Sequence, residues 1–373
     1  MTLKKHAQKT TILVMGDQIN RSISSLINQS PTNAQILMVE IEDKFNNSQW
    51  HIQKSHLVLS AMRHFADELR QEGFEVDYRV SKSLGEGITG HSKEFMPEEI
   101  ILMEPMNWNG NKIAERFDLK IIKNNQFLCH YEDFADWVSD RKSFKMEDFY
   151  RWQRKRLQIL MDNDSPIGGK WNFDHENRER PPRDGREWPT IELFTHDEID
   201  EEVLSNLDHA WGAVPKGIWP VTREQALIRL NEFIYGALPI FGPYEDAMLN
   251  KEWKLAHSVL SSSLNIGLLH PAEVVAAAES AYQNGNAPIN SVEGFIRQVI
   301  GWREYVWGLY WLWMPDYRDV NYLEASREIP PAFLKKDETK MACVSGAMDH
   351  LYEYAYTHHI ERLMIFRSEE RRV

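Results

Sequence analysis

The sequence predicts an α/β domain built on a doubly wound parallel sheet, followed by an all-α domain. The chain has 373 residues, more than a single hydrophobic core usually holds, so two domains are expected. Residues 10–130 alternate short β-rich runs with helical ones, the pattern of a parallel sheet covered by helices. From residue 222 onward the apolar spacing is helical. The expected division is an α/β domain at 1–135, a connector at 136–221 and an all-α domain at 222–373.

Short β-rich runs predict the strands of the first domain. They are Thr11–Met15, Ile36–Ile41, Phe74–Val80, Ile100–Met103 and Leu119–Ile122. Between the second and third runs, His56–Glu72 has apolar residues at near-helical spacing. Gly73 follows directly and supplies a helix stop, because glycine adopts the left-handed conformation without strain.

Polar residues follow the first two predicted strands. Asp17 and Gln18 come directly after the first, and Glu40 lies at the end of the second. Ligands of such sheets bind outside the carboxyl ends of the strands, so these groups are candidates to orient a small heterocycle. The alternative is that they are ordinary turn and cap residues.

Bulk composition excludes several classes of protein. A net charge of −13 argues against a generally basic nucleic-acid-binding surface, although it leaves room for a local basic groove. Two cysteines rule out a disulfide scaffold and any four-cysteine cluster built from this chain alone. No apolar run approaches the length of a membrane span. A monomer in a reducing cytoplasm is expected.

The segment Arg141–Arg156 mixes Lys and Arg with aromatic residues. Basic side chains contact phosphates and aromatic rings stack on bases, so this pattern indicates a strand-binding face. The candidate contacts are Arg151, Arg154, Lys155 and Arg156. A solvated amphipathic helix explains the same pattern without any nucleic acid.

Proline, glycine and polar residues interrupt the chain from about 163 to 222, which predicts a long connector laid across a surface. Thr222 then N-caps a helical run. Further helices are predicted at Leu255–Leu260, Pro271–Ala281 and Val292–Trp313.

Three pieces of the helical half carry candidate ligand-binding groups. Phe241–Met248, which contains Tyr244, is a turn followed by an acidic helix start. His257–Gly267 is rich in hydroxyls, and hydroxyls near helix starts hold phosphate well. Phe295–Tyr305 places polar groups about one turn apart around Gly301, which permits close approach of a ring. The alternatives are ordinary serine caps and a surface pair at Arg303–Glu304.

Two adjacent histidines, His358 and His359, lie in the otherwise apolar stretch Ala355–Phe366, whose pattern is compatible with a helix. Neighbouring side chains on a helix diverge by about 100°, so only one can readily face a given ligand. An imidazole is the natural candidate for a proton donor near neutral pH. The alternative is a pair of core histidines that only pack.

Six blocks in this order resemble the cryptochrome/photolyase superfamily. The resemblance is strongest to the iron–sulfur bacterial cryptochromes and (6-4) photolyases, the deoxyribodipyrimidine photolyase-related proteins, and it covers residues 11 to about 365. The blocks are Gly16–Gln18, Ser60–Ala66, Gly168–Asp174, Asn265–Leu269, Phe295–Tyr305 and Tyr356–Met364.

The resemblance implies FAD in the helical domain and an antenna chromophore of the 6,7-dimethyl-8-ribityllumazine type near Asp17, Gln18 and Glu40. It implies light-driven electron transfer to a (6-4) lesion flipped out of UV-damaged DNA, with His358 or His359 as the proton donor. The flavin would be held by residues of the three pieces above. These are Tyr244, His257, Ser258, Ser261, Ser262, Ser263, Gln298, Arg303 and Glu304.

The sequence departs from the family pattern at its C-terminal end. Cys343 matches the first ligand of the family's [4Fe–4S] cluster, but the chain does not contain the other three cysteines. The charged residues 367–373 stand where the family continues with apolar helices. A shortened, damaged product with uncovered apolar faces is therefore expected. Photolyase, blue-light receptor and inactive remnant binding only the antenna ligand all remain open as functions.

Overall fold

The computed structural model describes residues 9–43, 50–207, 211–322, 324 and 326–366. The charged segment 367–373 lies outside the described residues. In the part of the chain that the structure describes, no helix has the length and apolar character needed to cross a membrane.

A five-stranded parallel sheet forms the centre of the first half, with strand order β3-β2-β1-β4-β5. In the central strand, Ile12 pairs with Ile36 on one side and with Ile101 on the other. All three side chains are buried, as expected for strands covered by helices on both faces. The strands are β1 Thr10–Val14, β2 Ala34–Ile41, β3 Glu75–Ser81, β4 Ile100–Met103 and β5 Lys120–Ile122. The predicted fold class and strand positions are confirmed.

Among the residues that the structure describes in full, several helices accompany this sheet. They are α1 Ile52–Gln71, α2 Leu84–Phe95, α3 Trp108–Arg116, α4 Tyr131–Ser139 and α5 Met146–Leu157. Helix α1 contains the predicted helical run and buries Met62, Phe65 and Leu69 in the core. It begins one turn earlier than expected because the His51 side chain caps it, accepting a hydrogen bond from the Gln53 N–H.

After α5, the described part of the connector contains short elements and one further helix. They are β6 Met161–Asp162, β7 Ser165–Pro166, the 3₁₀ turns Ile167–Gly169 and Asp174–Glu176, and α6 Glu198–Ser205. Helix α6 has a complete capping box, in which Asp197 and Asp200 accept hydrogen bonds from each other's backbone N–H groups.

The second half is helical, as expected. Two long helices are each interrupted by a π-helical turn. The first consists of α7 Arg223–Glu232, the turn Phe233–Ala237 and α8 Leu238–Tyr244. The second consists of α11 Ile289–Ile296, the turn Arg297–Arg303 and α12 Glu304–Trp313. The other helices are α9 Ser261–Ile266, α10 Pro271–Gln283, α13 Ala342–Tyr354 and α14 His359–Glu361. The remaining turns are Asp316–Asp319, Pro331–Phe333 and the π turn Arg362–Phe366.

Two helix predictions are wrong. Leu255–Leu260 is an irregular segment, in which Leu255 and Val259 have φ of 49° and 51°. His358 is not on a helix, because Ala355 has φ of 54° and ends α13, and the next helix begins only at His359. Both segments replace helix with a sharp turn at a residue in the left-handed region, which apolar spacing does not reveal.

The two halves share contacts across one boundary. The Ile19 N–H donates to the Ile266 carbonyl at 2.8 Å, and the Asn20 side chain donates to the Gly267 carbonyl at 2.8 Å. Gly267 has φ of 90°, and an added Cβ would lie 2.2 Å from the Gln126 side chain. This position therefore requires glycine, and it fixes α9 against the end of the first strand.

Candidate functional site

A cavity of about 340 Å³ opens between α8, the π turn Arg297–Arg303 and the segment that follows His358. The π turn places Gln298 and Trp302 in the same wall of this cavity, hereafter the helix-lined cavity. His257 and His359 lie in its wall as well. The other lining residues are Met146, Glu147, Asp174, Arg178, Phe241, Glu245, Asp246, Arg297 and Leu363. Three of the predicted site residues, Gln298, His257 and His359, therefore meet here.

The adjacent histidines point in different directions, although His358 is extended and not on a helix. His358 is fully buried, and its ring stacks on that of His257 with centroids 4.6 Å apart and planes inclined by 20°. His359 is exposed and faces the cavity. One imidazole of the pair packs, and the other is open to a ligand and to solvent.

Burial and mutual proximity keep the two stacked rings neutral. Burial lowers the pKa of His257 to about 4. Burial, together with the nearby His257 and His350, lowers the pKa of His358 to about 2. At neutral pH both rings are therefore uncharged and available for hydrogen bonding rather than for ion pairing.

His358 lacks conventional partners among the described residues. Neither of its ring nitrogens makes a hydrogen bond there. Its closest charged neighbour is Glu361, whose Oε1 lies 3.7 Å from His358 Nε2. The same carboxylate oxygen lies 2.8 Å from His350 Nδ1. A buried imidazole with both nitrogens unused is costly unless something else satisfies it.

Arg297 organises the acidic wall of the helix-lined cavity. Its guanidinium contacts Asp174, lies 3.2 Å from Glu293 Oε1 and lies 3.6 Å from Glu245 Oε1. Burial nevertheless raises the pKa of Glu245 to about 7. Its Oε2 atom is buried without a hydrogen-bond partner among the described residues. Glu245 is therefore a polar group in the cavity wall that can accept from or donate to a ligand near neutral pH.

The predicted hydroxyl patch does not line the helix-lined cavity. Ser261–Ser263 form the start of α9, where Ser263 is fully buried. Ser258 lies in a separate recess beside His257, and its hydroxyl accepts from the Leu260 N–H. The prediction that these serines and the histidines line the same cavity is therefore corrected. Of the serines, only Ser258 lies next to the helix-lined cavity, on the other side of His257.

Tyr244, Arg303 and Glu304 lie outside the cavity wall, contrary to prediction. Tyr244 is buried against the connector, with its ring edge-on to Trp188 at 5.3 Å. The Arg303 guanidinium lies 3.9 Å from the centre of the Phe127 ring and donates to the Gln126 carbonyl.

Glu304 accepts hydrogen bonds from the Leu128 and Cys129 N–H groups. Burial raises the pKa of its carboxyl group to about 7. Arg303 and Glu304 thus join the helical half to the segment before α4. They occupy a different face of the helix from Gln298 and Trp302.

The predicted DNA contacts on the basic helix α5 differ in exposure. Arg151 and Lys155 are exposed, and their charges lie 6.0 Å and 5.6 Å from the centre of the Trp171 ring. Arg154 is fully buried, and its guanidinium donates to the carbonyls of Ile159, Leu160 and Trp171. The prediction that Arg154 contacts DNA is therefore corrected, because its donors hold the chain that follows α5.

Arg156 is partly exposed and already has protein partners. It donates to Gln153 Oε1 at 2.9 Å and to the Leu128 carbonyl. Its guanidinium also lies over the Trp152 ring, 5.1 Å from the centre. A phosphate contact from Arg156 would compete with these bonds, whereas contacts from Arg151 and Lys155 would not.

A second cavity of about 230 Å³ lies at the carboxyl ends of β1 and β2. Asp17 lines it, as predicted, together with Gly16, Trp50 and Lys54. The Lys54 ammonium lies 4.0 Å from the centre of the Trp50 ring. A Cβ added at Gly16 would lie 2.9 Å from Met62 Sδ, so glycine permits the close packing at this cavity floor.

Gln18 and Glu40, the other two predicted antenna contacts, are used elsewhere. Gln18 is fully buried and donates to the Met103 carbonyl at 3.0 Å. The Glu40 carboxylate accepts from Arg63 at 3.1 Å and from the Tyr78 hydroxyl at 2.8 Å. The carboxyl ends of the strands do form a crevice, but only Asp17 of the three lines it.

The cysteines do not fit an iron–sulfur cluster. Cys343 is exposed near the start of α13, and Cys129 is buried in the core beside Glu304. Since the chain contains only these two cysteines, it cannot supply the four thiolates that a [4Fe–4S] cluster requires.

Comparison with known proteins identifies the fold. The structure resembles that of a bacterial class III photolyase from Agrobacterium tumefaciens, with a TM-score of 0.59, 16% identity, and coverage of 98% of this chain and 72% of that one. It also resembles the Synechocystis sp. cryptochrome, with a TM-score of 0.58, 14% identity, and coverage of 96% and 74%. The chain therefore has the photolyase–cryptochrome fold, an α/β domain followed by a helical one.

Sequence similarity identifies the family. The model of the deoxyribodipyrimidine photo-lyase-related proteins matches residues 12–215. The chain is also 39% identical over 370 residues to the (6-4) photolyase of Agrobacterium fabrum (strain C58 / ATCC 33970), which covers 95% of this chain and 73% of that protein. The chain belongs to the deoxyribodipyrimidine photo-lyase-related protein family, and photolyases in general bind FAD and act on damaged DNA.

Sequence reasoning missed several residues of both cavities. Glu245 and Arg297 are far apart in the chain and meet only because α8 packs on α11 and the π turn. Trp302 was visible as one of several tryptophans, but no spacing rule marks which of them faces a cavity. Trp50 precedes α1 and Lys54 lies in its first turn, where the apolar spacing that predicts the helix does not mark a polar residue as part of a cavity.

Proposed function

We propose that this protein is a light-driven DNA repair enzyme of the (6-4) photolyase type that uses FAD. The observation that carries the proposal is 39% identity to a (6-4) photolyase over 95% of the chain. The helix-lined cavity supports it, because the cavity brings an exposed imidazole together with polar and aromatic groups suited to a ring-shaped ligand.

The helix-lined cavity fits the ring portion of a flavin better than its diphosphate. Its volume of about 340 Å³ is at the lower end of the usual range for ligand pockets, about 300–1,000 Å³. The unsatisfied Glu245 Oε2 atom supplies a polar contact in its wall. The acidic residues Glu147, Asp174 and Asp246 disfavour a diphosphate there, and the predicted serines lie outside the wall. Bound FAD would supply the electron that light drives to the lesion.

The three histidines take different parts in this proposal. His359 faces both the cavity and solvent, so it is the residue that donates a proton to the lesion and is recharged from water. His358 is held neutral inside and acts as a positioning residue, through its stack on His257. The prediction that either histidine is the donor thus narrows to His359.

Damaged DNA would approach along the exposed side of α5. Arg151 and Lys155 supply positive charge there beside the Trp171 ring, although the chain as a whole is acidic. The smaller cavity at the strand ends would hold the antenna chromophore, with Trp50 as a stacking surface and Asp17 as a polar contact. A monomeric, cytoplasmic protein remains part of the proposal.

A photorepair assay tests the function. The purified chain, incubated with FAD and reduced, is mixed with an oligonucleotide that contains a (6-4) photoproduct and is illuminated with blue light. The proposal expects restoration of the undamaged bases in light and none in the dark. Flavin photochemistry without repair would instead support a blue-light receptor. Absence of flavin binding, with a lumazine retained, would support an antenna-binding remnant.

DNA affinity as a function of salt tests the basic helix. Replacing Arg151 by Ala removes one phosphate contact, so the slope of log affinity against log salt should fall by about 0.9. Lys155→Ala should do the same. Glu86, an exposed residue of α2 on the first domain, gives a control variant, Glu86→Gln, that should leave the slope unchanged. Equal slopes for all three variants and the unsubstituted chain would remove α5 from the proposed DNA surface.

A further inference from the structure

A second group of titratable side chains lies between α1 and α6, outside both cavities described above. His56, Ser60 and His64 are spaced four residues apart on α1, so they share one face of that helix. Asp197 is the N-cap of α6, and Asp200 is its third residue. These side chains are hereafter the histidine–aspartate cluster.

Each aspartate uses one oxygen for the helix and directs the other toward a histidine. Asp197 Oδ1 accepts from the Ile199 and Asp200 N–H groups, while Oδ2 lies 2.8 Å from His64 Nε2. Asp200 Oδ2 accepts from the Asp197 N–H at 3.3 Å, while Oδ1 lies 3.3 Å from His56 Nε2. The caps hold both carboxylates in place, and one oxygen of each remains for another partner.

The hydrogen bonding of His64 requires a proton or a metal ion between its second nitrogen and Asp197. Nδ1 lies 2.8 Å from the Ser60 carbonyl, which can only accept, so Nδ1 carries a hydrogen. In the neutral ring Nε2 is then a lone pair, and it faces a carboxylate oxygen at 2.8 Å. Two lone pairs at this separation repel unless a proton or a metal ion stands there. A ring N–H donated to a backbone carbonyl is also the usual second contact of a metal-binding histidine.

Several buried polar atoms around His64 lack partners among the described residues. They are His56 Nε2, Ser60 Oγ, His196 Nε2 and Asp200 Oδ1. His56 and Asp200 are 4% and 2% exposed, so water does not readily satisfy these atoms. The 3.3 Å contact between His56 Nε2 and Asp200 Oδ1 is a close polar contact that is poorly aligned for a hydrogen bond. A metal ion bound by Asp200 Oδ1 would satisfy that buried oxygen.

We infer that His64, Asp197 and Asp200 bind a divalent transition-metal ion. Ligand atoms of these three residues all lie within 4.8 Å of one another. Donors around a tetrahedral zinc ion lie about 3.4 Å apart, so small side-chain rotations complete the site. Imidazole nitrogen together with carboxylate oxygen suits zinc better than magnesium or calcium.

The site has an entry path and a consequence for the fold. A cleft of about 530 Å³ is lined by His64 and Asp197, and the Asp197 side chain is 55% exposed. An ion can therefore enter from solvent. Once bound, it ties α1 of the first domain to α6 of the connector, a link now made only by side-chain contacts and packing.

Cobalt titration of the full chain tests the site. Chelator-treated protein is titrated with Co²⁺ and followed by visible absorption, and Zn²⁺ is then added to displace it. We expect saturation near one equivalent, displacement by zinc, and a rise in melting temperature with either ion. Loss of an outer-shell partner alone weakens metal binding about 10–100-fold, so His64→Ala should weaken it at least about tenfold.

Two further variants keep the test decisive. Asp197→Asn retains a good N-cap and should fold, yet it should also weaken binding about tenfold or more. His175→Ala, at an exposed histidine on the turn Asp174–Glu176, should bind as the unsubstituted chain does. Two results would overturn the inference: no saturable Co²⁺ binding, which leaves a proton between His64 and Asp197, or undiminished binding by both His64→Ala and Asp197→Asn.

Discussion

The protein contains two groups of histidines whose surroundings are electrostatically opposite. In the first, His257 and His358 pack ring against ring, and burial holds both neutral. In the second, His56 and His64 each face an aspartate oxygen. Burial disfavours positive charge in the first environment, whereas carboxylate oxygens lie beside the histidines in the second. The same residue type therefore serves a neutral, ring-binding cavity in one place and a cation site in another.

The two groups of histidines also have different proposed roles. One belongs to the proposed repair site, and the other to a proposed metal site that links two helices. The stacked pair adjoins the helix-lined cavity, because His257 lies in its wall together with His359. The histidine–aspartate cluster lies between α1 and α6, and none of its members lines that cavity. Substitutions in one group should therefore leave the other group's property intact.

The largest expected effect is on repair. His359→Ala removes the proposed proton donor, and general acid catalysis typically contributes about 10²–10⁴-fold. We expect single-turnover photorepair to slow by that factor, with flavin binding retained. His64→Ala should repair at the unsubstituted rate. Equal rates for His359→Ala and the unsubstituted protein would contradict the role of His359.

The next effect is the acid sensitivity of the stacked pair. His257 has a folded-state pKa of about 4, below the unfolded value of 6.5, so the unfolded chain binds more protons between these values. Stability contributed by the neutral ring is complete above pH 6.5 and is lost as pH falls. Between pH 7 and pH 5 this amounts to about 2 kcal/mol.

His257→Phe checks that assignment, since Phe keeps an aromatic ring and cannot be protonated. Urea unfolding at pH 7 and pH 5 should show the variant losing about 2 kcal/mol less than the unsubstituted chain does. His175→Phe, at an exposed site, should retain the full acid loss. An unchanged pH dependence in His257→Phe would mean that His257 is not held neutral by burial.

The smallest effect separates helix capping from metal binding in the histidine–aspartate cluster. In chelator-containing buffer, Asp197→Ala should lower the free energy of unfolding by about 1 kcal/mol, the usual worth of an N-cap. Asp197→Asn should change it by only a few tenths of a kcal/mol. Equal losses for Asn and Ala in that buffer would show that the charge of Asp197, rather than its cap, stabilises α6, because both substitutions remove the charge and only Asn keeps the cap.

The α/β domain was predictable from sequence because buried parallel strands leave short β-rich runs between helical ones. Ile100–Met103 was predicted with its observed bounds. Thr222 caps α7 as predicted, through the Gln225 N–H. Turns at left-handed residues were not predictable, and Leu255, Val259 and Ala355 each ended or prevented a helix that apolar spacing favoured.

Only some of the residues that line the helix-lined cavity could be predicted from the sequence. Gln298, His257 and His359 do line one cavity. Arg303 and Glu304 were grouped with Gln298 because they are close in sequence, but they lie on another face of the helix and bind the segment Gln126–Cys129. The roles of Arg154 and Glu40 depend on partners distant in the chain, namely Trp171 and Tyr78, which a single sequence does not reveal.

Flavin stoichiometry tests the central claim most directly. The purified chain is incubated with excess FAD, freed of unbound flavin by gel filtration and measured by absorbance, beside a Gln298→Trp variant designed to fill the helix-lined cavity. The account predicts close to one FAD per unsubstituted chain and little in the variant, with equal far-UV circular dichroism. No retained flavin in the unsubstituted chain, or equal retention in both, would contradict it.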